Sequence, residues 1–346
     1  MGLGLVVMGA PLGGDDILPL TIDFTVLGDG GLPSSLLGPT WAIASGVAVN
    51  TPTLGPTELL TDPGLEATYT AGKCDTLTKG GSPTLAESAD VHGGSKAQEF
   101  TATIVNDRLN FPVVAGVAGQ WYKGSLWGKR SAGTSPNTCF RIFQTGALPV
   151  NTEQDEMIGA AYTQQATNII STTTNAIFVY PAYEVGSAGG NTLLLDDGSL
   201  QAITYSSLFA LLPATRADVV LKIQPAAFAD GTLLGIVLRG DARTAPTNAI
   251  IALWRSLARF RATNGEWYLL TKIGSTYALV AGPTNPALAA NAWFEVRASG
   301  TTITVYYNDV LLTTQTITNA ALDGNRFHGI LAAGSNKLNR FFVSGN

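Results

Sequence analysis

Residues 293–316 read WFEVRASGTTITVYYNDVLLTTQT. Phe294, Val296 and Ala298 alternate with Glu295, Arg297 and Ser299, so one face of the segment is apolar and the other polar. Gly300 and Thr301 interrupt the run, and Thr302–Tyr307 alternates again. The pair Asn308–Asp309 is a hairpin signal before a third run, Val310–Thr316. The period is two throughout, which predicts an antiparallel three-stranded meander and excludes a helix.

The same punctuation recurs along the chain. Alternating runs bounded by Gly, Pro, Asn or Asp predict strands at 21–27, 97–104, 120–129, 138–144, 176–183, 192–195, 218–224, 233–239, 248–255, 258–262, 266–273, 276–281, 293–299, 301–308, 310–316 and 328–333. Turn signals every roughly 8–12 residues fit sandwiches and jelly rolls, not strand–helix–strand units. Composition agrees: 346 residues carry 39 Gly, 17 Pro and only 13% charged side chains, with a mean hydropathy of +0.20. Such a chain is too apolar to be disordered. Its apolar runs, such as 113–117 and 208–212, stop far short of the ~18 residues a membrane-spanning helix needs. The fold class expected is all-β, with two domains suggested by the length.

Charge is uneven. Residues 1–55 hold four acids (Asp15, Asp16, Asp23, Asp29) and no base, 56–202 hold 14 acids and 8 bases, and 203–346 hold 7 acids and 12 bases. The two ends taken together are nearly neutral, as one domain made from both would be. No basic run resembles a phosphate-binding footprint, so nucleic acid is not an expected partner. Two cysteines, Cys74 and Cys139, are neither a disulfide framework nor a zinc site. They are read as free or buried thiols, with pairing as the alternative outside the cell. The apolar start, MGLGLVVMGAPLGG, lacks the basic residues of a secretory signal and is expected to be a docking arm at 1–16.

Two resemblances organise these strands. The 293–316 meander, followed by GNRFHGI at 324–330 and RFFV at 340–343, resembles the concanavalin A-like, or laminin-G-like, sandwich. DVVLKIQ at 218–224 and LLGIVLR at 233–239 are similar to two further strands of that fold. Its opening resembles IDFT at 22–25, GGLP at 30–33 and WAIASG at 41–46. At Asp309–Val310 the chain departs from the family, where a Gly often follows the acid. The segment between the two halves resembles a carbohydrate-binding module of the galactose-binding jelly-roll type, related to families 4, 9 and 22. The matching motifs are ELLTDPGLE at 58–66, HGGSKA at 92–97, AGQWYKGSLWGK at 118–129 and LLLDDGSL at 193–200. The expected organisation is therefore a discontinuous sandwich, 17–55 with 203–346, and an inserted jelly roll at 56–202.

Candidate sites follow. The jelly-roll resemblance implies a structural calcium held by Glu66, His92, Gly94 and Asp196, with Asp197 beside them; calcium favours carboxylate and carbonyl oxygens. Sugars present apolar C–H faces to aromatic rings, and hydroxyls to nearby polar groups. In 120–129, Trp121, Lys123, Ser125 and Trp127 share one face. Tyr180, Tyr183, Arg141 and Gln144 are expected to join Trp121 and Trp127 in a sugar-contacting set. Residues 153–156 faintly resemble a glycosidase signature, but Asp155 and Glu156 are consecutive and would point oppositely in a strand; the segment reads as a solvated loop. The two histidines, His92 and His328, fall in different expected domains, and no nucleophile motif accompanies them. The functional expectation is a non-enzymatic structural component of a phage particle (tail, baseplate or head fibre). It would be displayed on the virion surface as a homo-oligomer among other virion proteins, and its partner would be a host glycan. The alternative is a secreted bacterial adhesion protein or an accessory part of a glycoside hydrolase.

Overall fold

The computed structural model describes residues 20–23, 25, 30–31, 40–45, 47–104, 107–133, 138–147, 152–156, 159–183, 192–213, 217–225, 233–256, 265–287, 289, 291–333 and 337–345. Among them the chain is built almost wholly of strands, with a short 3-10 turn at Tyr205–Leu208. The expected arm at 1–16 and the strand expected at 258–262 lie outside the described residues. The chain divides into two compact units: unit 1 is 1–53 with 204–346, and unit 2 is 54–203. The boundaries read from sequence, 55/56 and 202/203, lie within two residues of these.

Unit 1 packs a nine-stranded antiparallel sheet against a six-stranded one. The larger runs in the order Gly30–Gly31, Trp41–Ala44, Val47–Asn50, Lys337–Gly345, Val219–Pro225, Phe294–Ser299, Thr302–Tyr307, Val310–Thr316, with Leu20–Asp23 also on Lys337–Gly345. The smaller runs Phe209–Pro213, Phe327–Ala333, Leu233–Gly240, Asn248–Ser256, Gly265–Ile273, Thr276–Ala281. Phe294, Val296 and Ala298 point into the shared core with Trp254, Trp267 and Phe341, as the period-two reading predicts. Trp254 stacks on Tyr307 at 4.4 Å between ring centroids. The hairpin after Tyr307 pairs it with Val310, and Asn308 and Asp309 both have positive φ (48° and 62°). This is the two-residue turn with left-handed backbone at both positions, and the chain builds it from Asn308 and Asp309 without a glycine. Asp218 and Arg239, the polar members of the 218–224 and 233–239 motifs, meet at 3.3 Å, and Asp218 also accepts the Gly300 N–H at 2.9 Å. They tie two strands to the first turn of the meander.

Unit 2 is a second sandwich. Its five-stranded sheet runs Thr163–Ile170, Trp121–Ala132, Thr192–Ala202, Ala97–Thr101, Thr84–Ser88. Its six-stranded sheet runs Thr152–Glu156, Thr138–Phe143, Ala176–Tyr183, Arg108–Asn110, Thr78–Gly80, with Val114–Ala115 also on Ala176–Tyr183. The first sheet sends Phe100, Tyr122, Leu126, Leu193 and Leu200 into the core, and the second sends Phe140, Ile142, Ile177 and Val179. Gly124 sits where the layers come closest: a Cβ there would lie 2.4 Å from Ile142 Cδ1. The segment expected as a solvated loop at 153–156 belongs to a strand paired with Thr138–Phe143. The ends of unit 2 meet, because Leu54 bridges Ile203. In unit 1 the flanking Thr204 N–H donates to the Thr53 carbonyl at 2.8 Å. An insert whose ends are already together asks little rearrangement of its host.

Candidate functional site

Strand alternation fixes which side chains of unit 2 face outward. In Trp121–Ala132, Tyr122 and Leu126 point into the core, so Trp121, Lys123, Ser125, Trp127 and Lys129 point away from it. In Thr138–Phe143, Phe140 and Ile142 face the core, leaving Arg141 and Phe143 outside. In Ala176–Tyr183, Ile177 and Val179 face the core, leaving Phe178 and Tyr180 outside. The sugar-contacting set read from sequence therefore splits: Trp121 and Trp127 lie on the outer face of one sheet, Arg141 and Tyr180 on the outer face of the other. Trp121 is fully buried, so it is no platform for a ligand. Gln144 is buried too, and its amide donates to the carbonyls of Asn175 (2.7 Å) and Thr173 (3.4 Å), which is structural work. The Tyr183 side chain lies outside the described residues.

On the five-stranded sheet, a β-bulge shapes what surrounds Trp127. Leu126 pairs with Gly198 but Trp127 pairs with Asp196, so Asp197 is the extra residue, with φ of 43°. The bulge turns both aspartates toward the loop 89–96. Asp196 is buried and accepts N–H groups of His92 (2.8 Å), Gly93 (3.1 Å) and Asp197 (2.8 Å). Burial pushes its carboxyl above the usual range. Asp197 Oδ2 lies 2.6 Å from His92 Nδ1. The His92 ring stacks on Trp127 with centroids 3.8 Å apart and planes at 15°. Glu66 accepts the N–H and hydroxyl of Ser95 at 2.7 and 2.6 Å and the Lys96 N–H at 3.2 Å. The Ser95 hydroxyl and N–H hold the Glu66 carboxyl below its ordinary value. Lys129 bonds both Asp90 oxygens at 2.6 Å and lies 4.6 Å from the Tyr162 ring centroid, while the Tyr162 hydroxyl donates to the Asp90 carbonyl at 2.7 Å.

The four residues expected to hold calcium, Glu66, His92, Gly94 and Asp196, do gather around one loop, but their geometry does not fit that ion. N–H and hydroxyl donors face the two carboxylates, where calcium would need converging oxygens. A Cβ on Gly94, whose φ is 66°, would fall on Glu66 Oε1, so Gly is required there by that close approach. Among the described residues no three His, Cys, Asp or Glu side chains are grouped to hold a metal. Asp196 and Glu66 fasten the loop through the N–H and hydroxyl bonds given above. Cys74 is a buried free thiol, 3.1 Å from the Thr76 hydroxyl and 3.3 Å from Asp62 Oδ2, and burial pushes its pKa up. The Cys139 side chain lies outside the described residues.

The six-stranded sheet presents a different surface. Arg141 stands directly opposite Tyr180, and Phe143 opposite Phe178. The two Phe rings are 6.2 Å apart at 43°. Arg108, from the next strand, places its guanidinium 5.9 Å from the Tyr180 ring centroid. Phe143, Phe178, Tyr180 and Arg141 are half-buried and Arg108 is exposed. Three aromatic rings and two guanidiniums thus share one accessible sheet face. Sequence reading reached Arg141 and Tyr180 but missed Phe143, Phe178 and Arg108. The signal was present for the two Phe: each is two residues from a predicted site residue, hence on the same face.

No protein-family model matches the chain, and no curated protein matches it. Among solved structures it is similar to TmCBM61 in complex with β-1,4-galactotriose (18% identity over 42% of this chain and 97% of that one, TM-score 0.32). It is also similar to the arabinose-bound α-L-arabinofuranosidase MgGH51 (19% identity, 43% and 27% of the two chains, TM-score 0.33). A third is the CBM22-1–CBM22-2 tandem of Paenibacillus barcinonensis Xyn10C (10% identity, 84% and 96%, TM-score 0.34). These are distant likenesses, and the reading of the site rests on its own geometry.

Proposed function

We propose that unit 2 is a non-catalytic glycan-binding module and that its ligand lies along the outer face of the six-stranded sheet. The observation that carries the reading is the strip of Phe143, Phe178 and Tyr180 flanked by Arg108 and Arg141. Half-exposed rings on adjacent strands offer flat apolar surface to the C–H faces of successive sugar rings. The exposed Arg108 guanidinium supplies N–H donors for hydroxyls or carboxylates beside the rings. Trp127 suits this role less well, because one of its ring faces is already taken by His92. Binding of the full chain to a polysaccharide panel, repeated with Tyr180→Ala, tests the proposal. The substitution should weaken binding about tenfold or more. A panel with no binder, or an unaffected variant, would contradict it.

The wider role we propose is attachment, with unit 1 as the scaffold that displays the inserted module on a phage particle. What supports it is the insertion itself, which leaves the host sandwich continuous around a self-contained reader. Mass spectrometry of purified particles, against the secreted fraction of a bacterial culture, separates this setting from that of a secreted accessory module.

A further inference from the structure

Among the described residues, the two sheets of unit 1 each end in an edge strand on the same side, with no further strand paired to it. Val310–Thr316 closes the nine-stranded sheet and Thr276–Ala281 closes the six-stranded one. The two edge strands lie against each other. Among the described residues, three of the six most exposed large apolar side chains sit here: Val310 at 63%, Leu311 at 52% and Leu279 at 48%. The side is also free of charge along its chain. No Asp, Glu, Lys or Arg occurs in 273–294 or 310–322.

Soluble proteins commonly guard an open edge with Lys, Pro or inward charge, because its unpaired N–H and C=O groups template another strand. Neither edge strand carries such a residue. Unit 1 as a whole is nearly neutral, with 11 acids and 12 bases, so no net charge on it opposes the approach of a second copy at this side. A strand edge is also self-complementary when it meets its own copy antiparallel across a two-fold axis.

We infer that this side is a homodimer interface, in which Val310–Thr316 of one copy pairs antiparallel with Val310–Thr316 of a second. Val310, Leu311 and Leu279 close the apolar contact around that ladder. The partner is the same chain, and the inference is independent of the glycan reading, which concerns unit 2.

Sedimentation of the full chain from about 1 to about 100 µM tests it, since self-association follows mass action. The expected species at the upper end has twice the 36.0 kDa mass of the chain. Leu311→Lys with Thr314→Lys alters two exposed side chains and sets like charges across the axis. The pair should raise the dimer dissociation constant about 100-fold or more while leaving the melting curve of the monomer in place. Hydrogen exchange gives a second reading that needs no variant: amides of 310–316 should slow as the protein is concentrated. A wild-type monomer throughout the range, an assembly larger than a dimer, or a dimer indifferent to both lysines would overturn the inference.

Discussion

Gly124, Asp309 and Asp107 show how single residues hold this structure. Gly124 leaves room for Ile142 from the opposite sheet. Gly124→Val should therefore cost about 1–3 kcal/mol through overpacking, read as a lower midpoint of chemical unfolding. Asp309 occupies a left-handed position that L-residues other than Gly adopt at a cost. Asp309→Gly should stabilise unit 1 by about 0.5–1 kcal/mol in the same measurement. Asp107 is buried and accepts N–H groups of Ser82 (2.7 Å), Thr103 (2.7 Å) and Ile104 (3.0 Å). Burial raises its pKa, but these donors outweigh burial and hold it below the ordinary 3.8. A depressed carboxyl contributes stability that is complete above its unfolded pKa and disappears as pH falls below it. Melting temperature should thus drop below pH 3.8, and Asp107→Asn should melt lower at neutral pH with a shallower acid decline. At this scale the sequence was legible where alternation speaks for one strand. It placed Phe294 inward and Tyr122 opposite Trp127. It could not say which sheet a strand joins, so Trp127 and Tyr180 were grouped although they face away from each other.

Elements were legible in proportion to their apolar alternation. The strands Thr276–Ala281 and Val310–Thr316 have the predicted bounds. Thr163–Ile170 escaped because its buried face includes Gln165 and Thr167, which break the apolar signal. Thr192–Ala202 looked shorter because Asp196–Gly198 reads as a turn, whereas the structure carries the strand through it by a bulge. The same bulge anchors the 89–96 loop. The loop is fastened by Asp196 and Glu66 through N–H groups, so a chelator or added calcium should leave the melting temperature of unit 2 unchanged. Asp196→Asn turns an acceptor oxygen into an amide that can face those N–H groups with its own donors. Hydrogen exchange or proteolysis should then show 89–96 opening while the amides of Trp121–Ala132 stay protected.

The whole molecule is two sandwiches from one continuous chain, each with its own buried apolar cluster. That partition was traceable because each half of the host keeps its own strand signature on either side of the insert. Residues 54–203 end where they begin, through the Leu54–Ile203 bridge. Expressed alone, this unit should give a strand-rich circular dichroism spectrum and a single cooperative melt. The glycan reading is a claim about one face of that unit. Titration calorimetry with a polysaccharide fragment selected by the intact protein tests it most directly, comparing wild type, Tyr180→Ala and Trp127→Ala. Tyr180→Ala should lose about tenfold or more in affinity while Trp127→Ala keeps it. Loss with Trp127→Ala and full binding by Tyr180→Ala would contradict it.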